Sequence, residues 1–182
     1  MKRRFVATAI ILFGLFPGCL SSGSPEGDDG QAIIVGYFKP EAFMELQSVD
    51  IQRRGTARFF LGESLDVIVL PSGYFYASGV RPGAYVLMSV SEASAITHKT
   101  TRTFTVSYLP AAKNAWAWEI GPASVCYMGS YNLSSFPIGL SGSTVNHINL
   151  HREVNEVKVI EKILPRVQLA RWRRLLEREL EG

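Results

Sequence analysis

The sequence lacks the features that mark several familiar protein classes. It contains two cysteines in 182 residues, which excludes a small domain held together by a network of disulfides. It has no apolar run of the roughly 20 residues that a membrane-spanning helix needs. It also has no phosphate-binding loop, no dinucleotide-binding glycine pattern and no nucleophile-elbow serine. The common nucleotide-dependent enzymes and serine hydrolases are therefore not indicated.

An excess of one charge is also missing from most of the chain. There are 19 basic and 16 acidic residues, which gives a formal net charge of +3. Lys2, Arg3 and Arg4 account for that excess, and the rest of the chain is neutral. Nucleic-acid binding is not expected, because it needs a basic surface to neutralise phosphates. The 47% of hydrophobic residues is typical of a globular protein, and the length fits one domain.

The first residues predict export. Three basic residues are followed by an apolar run from residue 5 to residue 16, interrupted only by Thr8. This pattern is typical of a signal peptide, and the run is too short to span a membrane. We therefore expect residues 1–18 to be a targeting segment that is absent from the mature protein.

Pro17, Gly18 and Cys19 end this run, and a small residue directly before a cysteine resembles the lipid box of bacterial lipoproteins. The resemblance implies cleavage between Gly18 and Cys19 and acylation of Cys19, which makes the membrane a partner through a lipid anchor. Leu20 follows the cysteine, which favours the outer membrane of the cell envelope. An ordinary secretory signal peptide with a chance cysteine is the alternative.

The next stretch predicts a flexible tether. Residues 21–30 are rich in glycine, serine and acidic residues and contain no large apolar side chain. Such a composition cannot bury a core. We therefore assign residues 19–30 to an acylated cysteine and a linker that lets the folded part stand off the bilayer.

Short apolar or alternating runs, divided by turn residues, follow from residue 31 to residue 151. We predict strands at 32–38, 49–54, 57–61, 66–70, 74–79, 84–90, 103–108, 116–120, 124–131 and 144–150. Spacing of about ten residues predicts an all-β sandwich or barrel. The expected fold is mainly β: an antiparallel β-sandwich of the prealbumin or immunoglobulin type, followed by a C-terminal amphipathic helix.

Two segments carry a family resemblance. Residues 80–87, which read VRPGAYVL, resemble the turn and strand of transthyretin-like and carboxypeptidase-regulatory-like β-sandwich domains. Residues 125–130 are similar to a strand in uncharacterised envelope lipoproteins of that general shape. The resemblance implies a β-sandwich that serves as a binding or structural module, since these motifs set turn geometry and packing.

The pattern becomes helical over residues 153–181. Apolar residues recur three or four apart on both sides of Pro165, which predicts one helix kinked there or two short helices. The expected apolar positions are Val154, Val157, Ile160, Leu164, Leu169, Trp172, Leu176 and Leu180. Two interpretations stay open. The segment docks on the sandwich, or it binds a partner or a membrane surface through Trp172, Arg173 and Arg174.

The histidines and Cys126 offer little chemistry. His147 and His151 are four apart, but no third ligand stands at metal-binding spacing, so we expect exposed side chains and no metal or cofactor. The alternate residues Ile148 and Leu150 would then face the core. His98 lies in a predicted loop, and Cys126 is expected to be a small buried hydrophobic residue.

Aromatic residues are the remaining candidates. Trp116 and Trp118 would share one face of a strand, and residues 74–76 form a second aromatic group. These side chains either fill the core or present a face to a sugar or a protein. The sequence therefore predicts a non-enzymatic interaction or structural module with an envelope protein as partner. The alternatives are a lipoprotein that binds a small ligand or glycan, and a hydrolase with an unidentified site.

Overall fold

The structure is a computed structural model that describes residues 30–54, 61–97, 101–106, 116–138 and 143–182. Within these ranges it contains the strands β1 (Ala32–Lys39), β2 (Met44–Arg54), β3 (Leu61–Ser64), β4 (Ile68–Val69), β5 (Tyr74–Val80), β6 (Gly83–Ser94), β7 (Thr101–Thr105), β8 (Ala117–Ile120), β9 (Val125–Ile138) and β10 (Ser143–Leu150). The helices α1 (Glu156–Ile163) and α2 (Ala170–Glu181) follow, and 3-10 turns lie at Pro71–Gly73 and Leu164–Arg166.

The described strands form two sheets. Sheet A has the order β10-β9-β1-β5-β4, and sheet B has the order β3-β2-β6-β7. β8 also pairs with β6. It lies opposite residues 83–86 of β6, whereas β7 lies opposite residues 89–93 of the same strand. The prediction of a β-sandwich followed by a helical segment is confirmed, although β2, β6 and β9 are longer than expected.

One strand pair is not antiparallel. β1 and β9 run parallel, with Ile33 opposite Val125 and Lys39 opposite Asn132. The other pairings between described strands are antiparallel. A parallel pair needs a long connection, and here the strands of sheet B and the β4–β5 hairpin lie between the two partners in sequence.

Apolar side chains are buried in two layers. The inner core lies between the sheets and includes Ile34, Phe38, Ile51, Phe75, Val90 and Phe104. The outer core lies between sheet A and the helices and includes Ile33, Val35, Val159, Ile160, Ile163, Trp172 and Leu176. The protein is therefore a three-layer structure of sheet B, sheet A and helices.

β1 is the strand that both cores share. Ala32, Ile33, Ile34 and Val35 are each 0% exposed. Ala32 and Ile34 face the inner core, whereas Ile33 and Val35 face the helices. Burial on both faces explains why residues 32–35 form an uninterrupted apolar run instead of alternating with polar residues.

Gly36 leaves room for an aromatic contact inside the sandwich. A Cβ atom at this position would lie 2.3 Å from the ring of Phe75 on the neighbouring strand β5. Without that atom, the ring of Phe75 stacks on Phe38 with 5.4 Å between centroids. The glycine is therefore needed for close packing of β1 against β5.

The C-terminal segment forms two short helices. Asn155 caps α1, because its Oδ1 accepts a hydrogen bond from the Lys158 backbone N–H at 3.1 Å. Pro165 lies in the 3-10 turn that separates the helices, where its missing N–H costs little. The helical segment therefore breaks near the proline, as the sequence predicts.

The buried faces of the helices differ in part from the predicted ones. Ile160, Trp172 and Leu176 are buried as expected, whereas Val157 and Leu169 are exposed. The other residues that the two helices bury are Val159, Ile163 and Leu175. The helices dock on their own sandwich, which the sequence left open.

Several predicted features lie outside the described residues. They are the signal peptide, Cys19, the linker up to residue 29, His98, the last two residues of the predicted strand 103–108 and the greater part of the predicted strand 57–61. Among the helices in the described part of the chain, none is long and apolar enough to cross a membrane.

Replacing Leu176 tests the docking of α2. Leu176 is fully buried, so Leu176→Ala should lower the free energy of unfolding by about 2 to 5 kcal/mol through the cavity it leaves. Leu169→Ala is the matched control, because the same atoms are removed from an exposed side chain, and its effect should stay within about 0.5 kcal/mol. Urea denaturation followed by circular dichroism measures both. Equal effects would show that α2 does not pack on sheet A.

Candidate functional site

The two ends of the sandwich are defined by the direction of β1. The chain enters β1 at Ala32 and leaves it at Lys39. We call the end at Ala32 the proximal end and the end beyond Lys39 the distal end. Gly30 and Gln31 lead into β1, so residues that precede them in the chain join the fold at the proximal end.

Two connections meet at the distal end. The first links β1 to β2 through residues 40–43, and the second begins after β6 at residue 95. Met44 pairs with Ser94, which brings the two connections side by side. The Ala95 N–H donates a hydrogen bond of 2.9 Å to the Phe43 carbonyl oxygen. The connections are therefore joined through their backbones.

Each connection places a large apolar side chain in solvent. Phe43 is 77% exposed and Ile96 is 75% exposed, and we call these residues the distal pair. Phe43 also has a φ of +64°, a conformation that a residue with a Cβ adopts at a cost. Its neighbours must hold it there, and strained backbone of this kind concentrates at functional sites.

A buried carboxylate lies beneath the distal pair. Glu92 is on the inner face of β6, opposite Arg102 of β7, and is 0% exposed. Its Oε2 accepts a hydrogen bond of 3.1 Å from the Glu41 backbone N–H. Its Oε1 lies 3.7 Å from Nη1 of Arg102, which also donates to the Glu41 carboxylate. We call Glu41, Glu92 and Arg102 the carboxylate–arginine cluster.

The surroundings of Glu92 in the cluster favour the protonated form of its carboxyl group more than water does. Burial raises the pKa of Glu92, and the Glu41 carboxylate raises it further. The Glu41 N–H and the Arg102 guanidinium act in the opposite direction, with smaller effects than burial. The cluster ties the connection that carries Phe43 to β6 and β7, so it positions the distal pair.

The β9–β10 hairpin extends the distal end. β9 continues past Asn132, the partner of the last residue of β1, as far as Ile138. Phe136 on this extension is exposed, and its ring contacts His147 with 5.6 Å between centroids. The Asn146 side chain donates a hydrogen bond of 3.0 Å to the Thr103 carbonyl oxygen, which links β10 to β7. The hairpin is thereby fastened to sheet B.

The predicted tryptophan face is largely part of the core. Trp116 and Trp118 are half-buried, and both pack against the inner core. The ring of Trp116 contacts Tyr131 with 4.8 Å between centroids. This placement favours a core-filling role over an aromatic platform for a sugar.

Residues 74–76 do not form one aromatic group. Phe75 faces the inner core, whereas Tyr74 and Tyr76 face the helices, because successive side chains of a strand point to opposite faces. Tyr76 donates a hydrogen bond of 3.4 Å to the Arg166 carbonyl oxygen, and burial raises its pKa. These tyrosines therefore help to seat the helical layer.

The predicted contact residues of α2 have different environments. Trp172 is 4% exposed, so its ring packs in the outer core instead of facing a partner. Arg173 donates through Nε to the Val167 carbonyl oxygen at 2.6 Å, which ties it to the chain before the helix. Arg174 is exposed. Contact through Trp172 would require α2 to leave the sheet.

Two expectations for β10 are wrong. His147 is exposed, as predicted. His151 is instead buried, and its ring lies against Tyr37. The chain turns inward after β10, where the His151 backbone N–H donates a hydrogen bond to the Ser130 carbonyl oxygen. Leu150 does not face the core but is exposed, since β10 is an edge strand. Within the described ranges, no three His, Cys, Asp or Glu side chains are placed to hold a metal ion.

Two other features carry no catalytic arrangement. Cys126 is fully buried in the inner core, as expected for a small hydrophobic residue. A cleft of about 460 Å³ opens between the start of β2 and the Pro71–Gly73 turn. Glu45 is the single ionisable residue among those that line it, so the cleft offers no acid–base pair.

Comparison with known proteins assigns no family. No family model matches the chain, and no curated protein matches it. One solved structure that it resembles is a Bacteroides fragilis protein described as a "putative cell adhesion protein", with 11% identity and a TM-score of 0.32. The match covers 70% of this chain and 48% of that protein, so the chain spans about half of its length. A likeness this distant carries no argument about function.

Neither the distal pair nor the carboxylate–arginine cluster is predicted from the sequence. One signal was available, because Glu92 is the single charged residue in the twelve residues of β6. A charge in an otherwise uncharged strand calls for a partner, since buried charges are paired. The partner itself is set by strand register, which the sequence does not specify.

Replacing Glu92 tests the burial of its carboxylate. Burial raises the pKa of Glu92 above the ordinary 4.5, so the folded protein keeps this proton to a higher pH than the unfolded chain. The stabilisation from protonated Glu92 is fully present below about pH 4.5 and is lost as the pH rises through the raised pKa. Glu92→Gln should therefore lose less stability than the wild type between about pH 4 and pH 7.

Urea denaturation at both pH values measures this difference. Glu45→Gln, which alters an exposed carboxylate on β2, is the control and should keep the wild-type dependence on pH. The same dependence in Glu92→Gln and the wild type would contradict a pKa raised by burial.

Proposed function

We propose that this protein is a lipid-anchored, non-enzymatic interaction module of a bacterial cell envelope, which binds a protein partner through its distal end. The anchor is Cys19, and residues 20–30 are the tether that joins it to the proximal end of the sandwich. The alternatives, a ligand-binding lipoprotein and a hydrolase, have less support among the described residues.

The distal pair is the observation that carries the proposal. Phe43 and Ile96 are both about three-quarters exposed, and they lie on adjacent connections. Neighbouring large apolar side chains that a folded protein leaves exposed are typical of protein-binding sites. The carboxylate–arginine cluster holds the Phe43 connection in place, so binding would cost little conformational entropy.

The helical layer is the weaker candidate for the partner site. Its apolar face already packs on sheet A through Ile160, Ile163 and Leu176. Removing residues 154–181 would strip the outer core from β1 and unfold the protein, so a deletion cannot test binding. Point variants at the distal end avoid this difficulty.

Replacing Cys19 tests the anchor. Cys19→Ala, exported behind an ordinary cleavable signal peptide in place of residues 1–18, has no thiol to acylate, so we expect the mature protein to leave the membrane fraction. Fractionation of cells, with a wash in about 1 M salt to remove electrostatic contacts, measures the distribution. Wild-type protein that the same wash releases would contradict lipid anchoring, because several acyl chains hold a protein stably.

Replacing the distal pair tests the partner site. Phe43→Ser/Ile96→Ser should lower recovery of a crosslinked partner from detergent-solubilised membranes at least tenfold, since buried aromatic anchors dominate binding energy. Val157→Ser/Leu169→Ser is the matched control, because it replaces two exposed apolar side chains on the helical layer. It should recover the partner at the wild-type level. Equal recovery with the distal variant would overturn the proposed site.

A further inference from the structure

Three arginines lie on one flank of α2. Arg171, Arg174 and Arg178 are three and four residues apart, so a helix brings their side chains to the same side. All three are exposed. Two acidic residues lie beside them, Glu177 three residues after Arg174 and Glu181 three residues after Arg178. We call the three residues the arginine flank, and it carries a net positive charge.

The positive charges of the arginine flank are not engaged in ion pairs with described residues. The ion pairs recorded among the described residues both involve Arg102, so none of the three arginines pairs with a described carboxylate. α2 holds two further acids: Glu177 is exposed beside the flank, and Glu179 lies on the side of α1, where its charge helps to raise the pKa of Glu156. Positive charges without partners attract an anionic surface.

The apolar face of α2 is not available for insertion into a membrane. Trp172, Leu175 and Leu176 are buried against sheet A. An amphipathic helix that enters a bilayer does so with that face. Contact with a membrane would therefore be electrostatic, at the level of the lipid head groups.

The flank begins where the linker reaches the fold. Nη2 of Arg171 donates a hydrogen bond of 3.3 Å to Oε1 of Gln31, the residue before β1. The Arg171 guanidinium also lies over the Trp172 ring, 4.5 Å from its centroid, which fixes its position. Gly30 is the eleventh residue after Cys19, and a flexible chain of about 11 residues reaches about 18 Å on average. An anchored Cys19 would keep the flank close to the membrane.

We propose that the arginine flank binds anionic lipid head groups of the membrane in which the protein is anchored. The inference rests on the proposed anchor. Contact at the flank holds the proximal end against the membrane. The distal pair then points away, separated by the length of β1, about 26 Å for its eight residues. Lipid binding thus presents the partner site to the space beyond the membrane.

Vesicle flotation tests the proposal without the anchor. The mature chain with Cys19→Ala, which is residues 19–182 without the apolar signal segment, is mixed with vesicles of phosphatidylglycerol and phosphatidylethanolamine, or of phosphatidylcholine alone, at about 50 mM salt. Each basic side chain near an anionic surface strengthens binding about fivefold. We expect binding to the anionic vesicles that is at least tenfold stronger than to phosphatidylcholine and that weakens as salt is added.

Arg174→Gln/Arg178→Gln, made in the same background, should reduce anionic-vesicle binding at least tenfold. Lys158→Gln/Lys162→Gln is the matched control, because it removes two exposed positive charges from α1, and its effect should stay below about threefold. Circular dichroism confirms that each variant is folded. Equal losses in the two variants would mean that net charge, not the flank, governs binding, and that result overturns the proposal.

Unchanged binding in the flank variant would also overturn it. A failure of the anchor appears separately, as wild-type protein released by salt from cell membranes. Binding of the flank to an acidic protein instead would appear as a partner lost in Arg174→Gln/Arg178→Gln with no vesicle binding in the Cys19→Ala chain.

Discussion

The burial of β1 on both faces is the constraint on which the other layers depend. Residues 32–35 have no exposed surface, so sheet B must cover one face and the helices the other. Each fully buried aliphatic side chain stabilises the fold by about 1.5 to 3 kcal/mol. The helical segment is therefore part of the folding unit, because without it Ile33 and Val35 would face water.

The same strand separates two surfaces of different chemistry. At its proximal end lie Gln31 and Arg171, and at its distal end lie Phe43 and Ile96. A carboxylate buried beneath the distal pair is costly, and the Glu41 N–H and Arg102 offset part of that cost. The cluster fixes the position of the strained connection that carries the exposed Phe43.

Much of the fold follows from local pattern, and the exceptions have physical causes. The apolar run at β1 and the turn before β6 are visible in the sequence because side-chain burial and glycine geometry are local properties. The parallel pairing of β1 with β9 is not visible, because the partner of a strand and its direction depend on contacts between segments that lie far apart in the chain. Val157 was expected on the apolar face of the helix, but apolar residues at helical spacing fit two faces, and the contact with sheet A selects Ile160 and Ile163.

The sequence by itself determined a mainly β protein with a broken helical segment, because hydrophobic period and proline position act over a few residues. Only the tertiary structure decided which large side chains reach the surface. Trp172 is buried and Phe43 is exposed, although both are aromatic residues. Burial depends on which element packs opposite a side chain, and that element is far away in the chain. Glu92 and Arg102 meet for the same reason, through the register of β6 and β7.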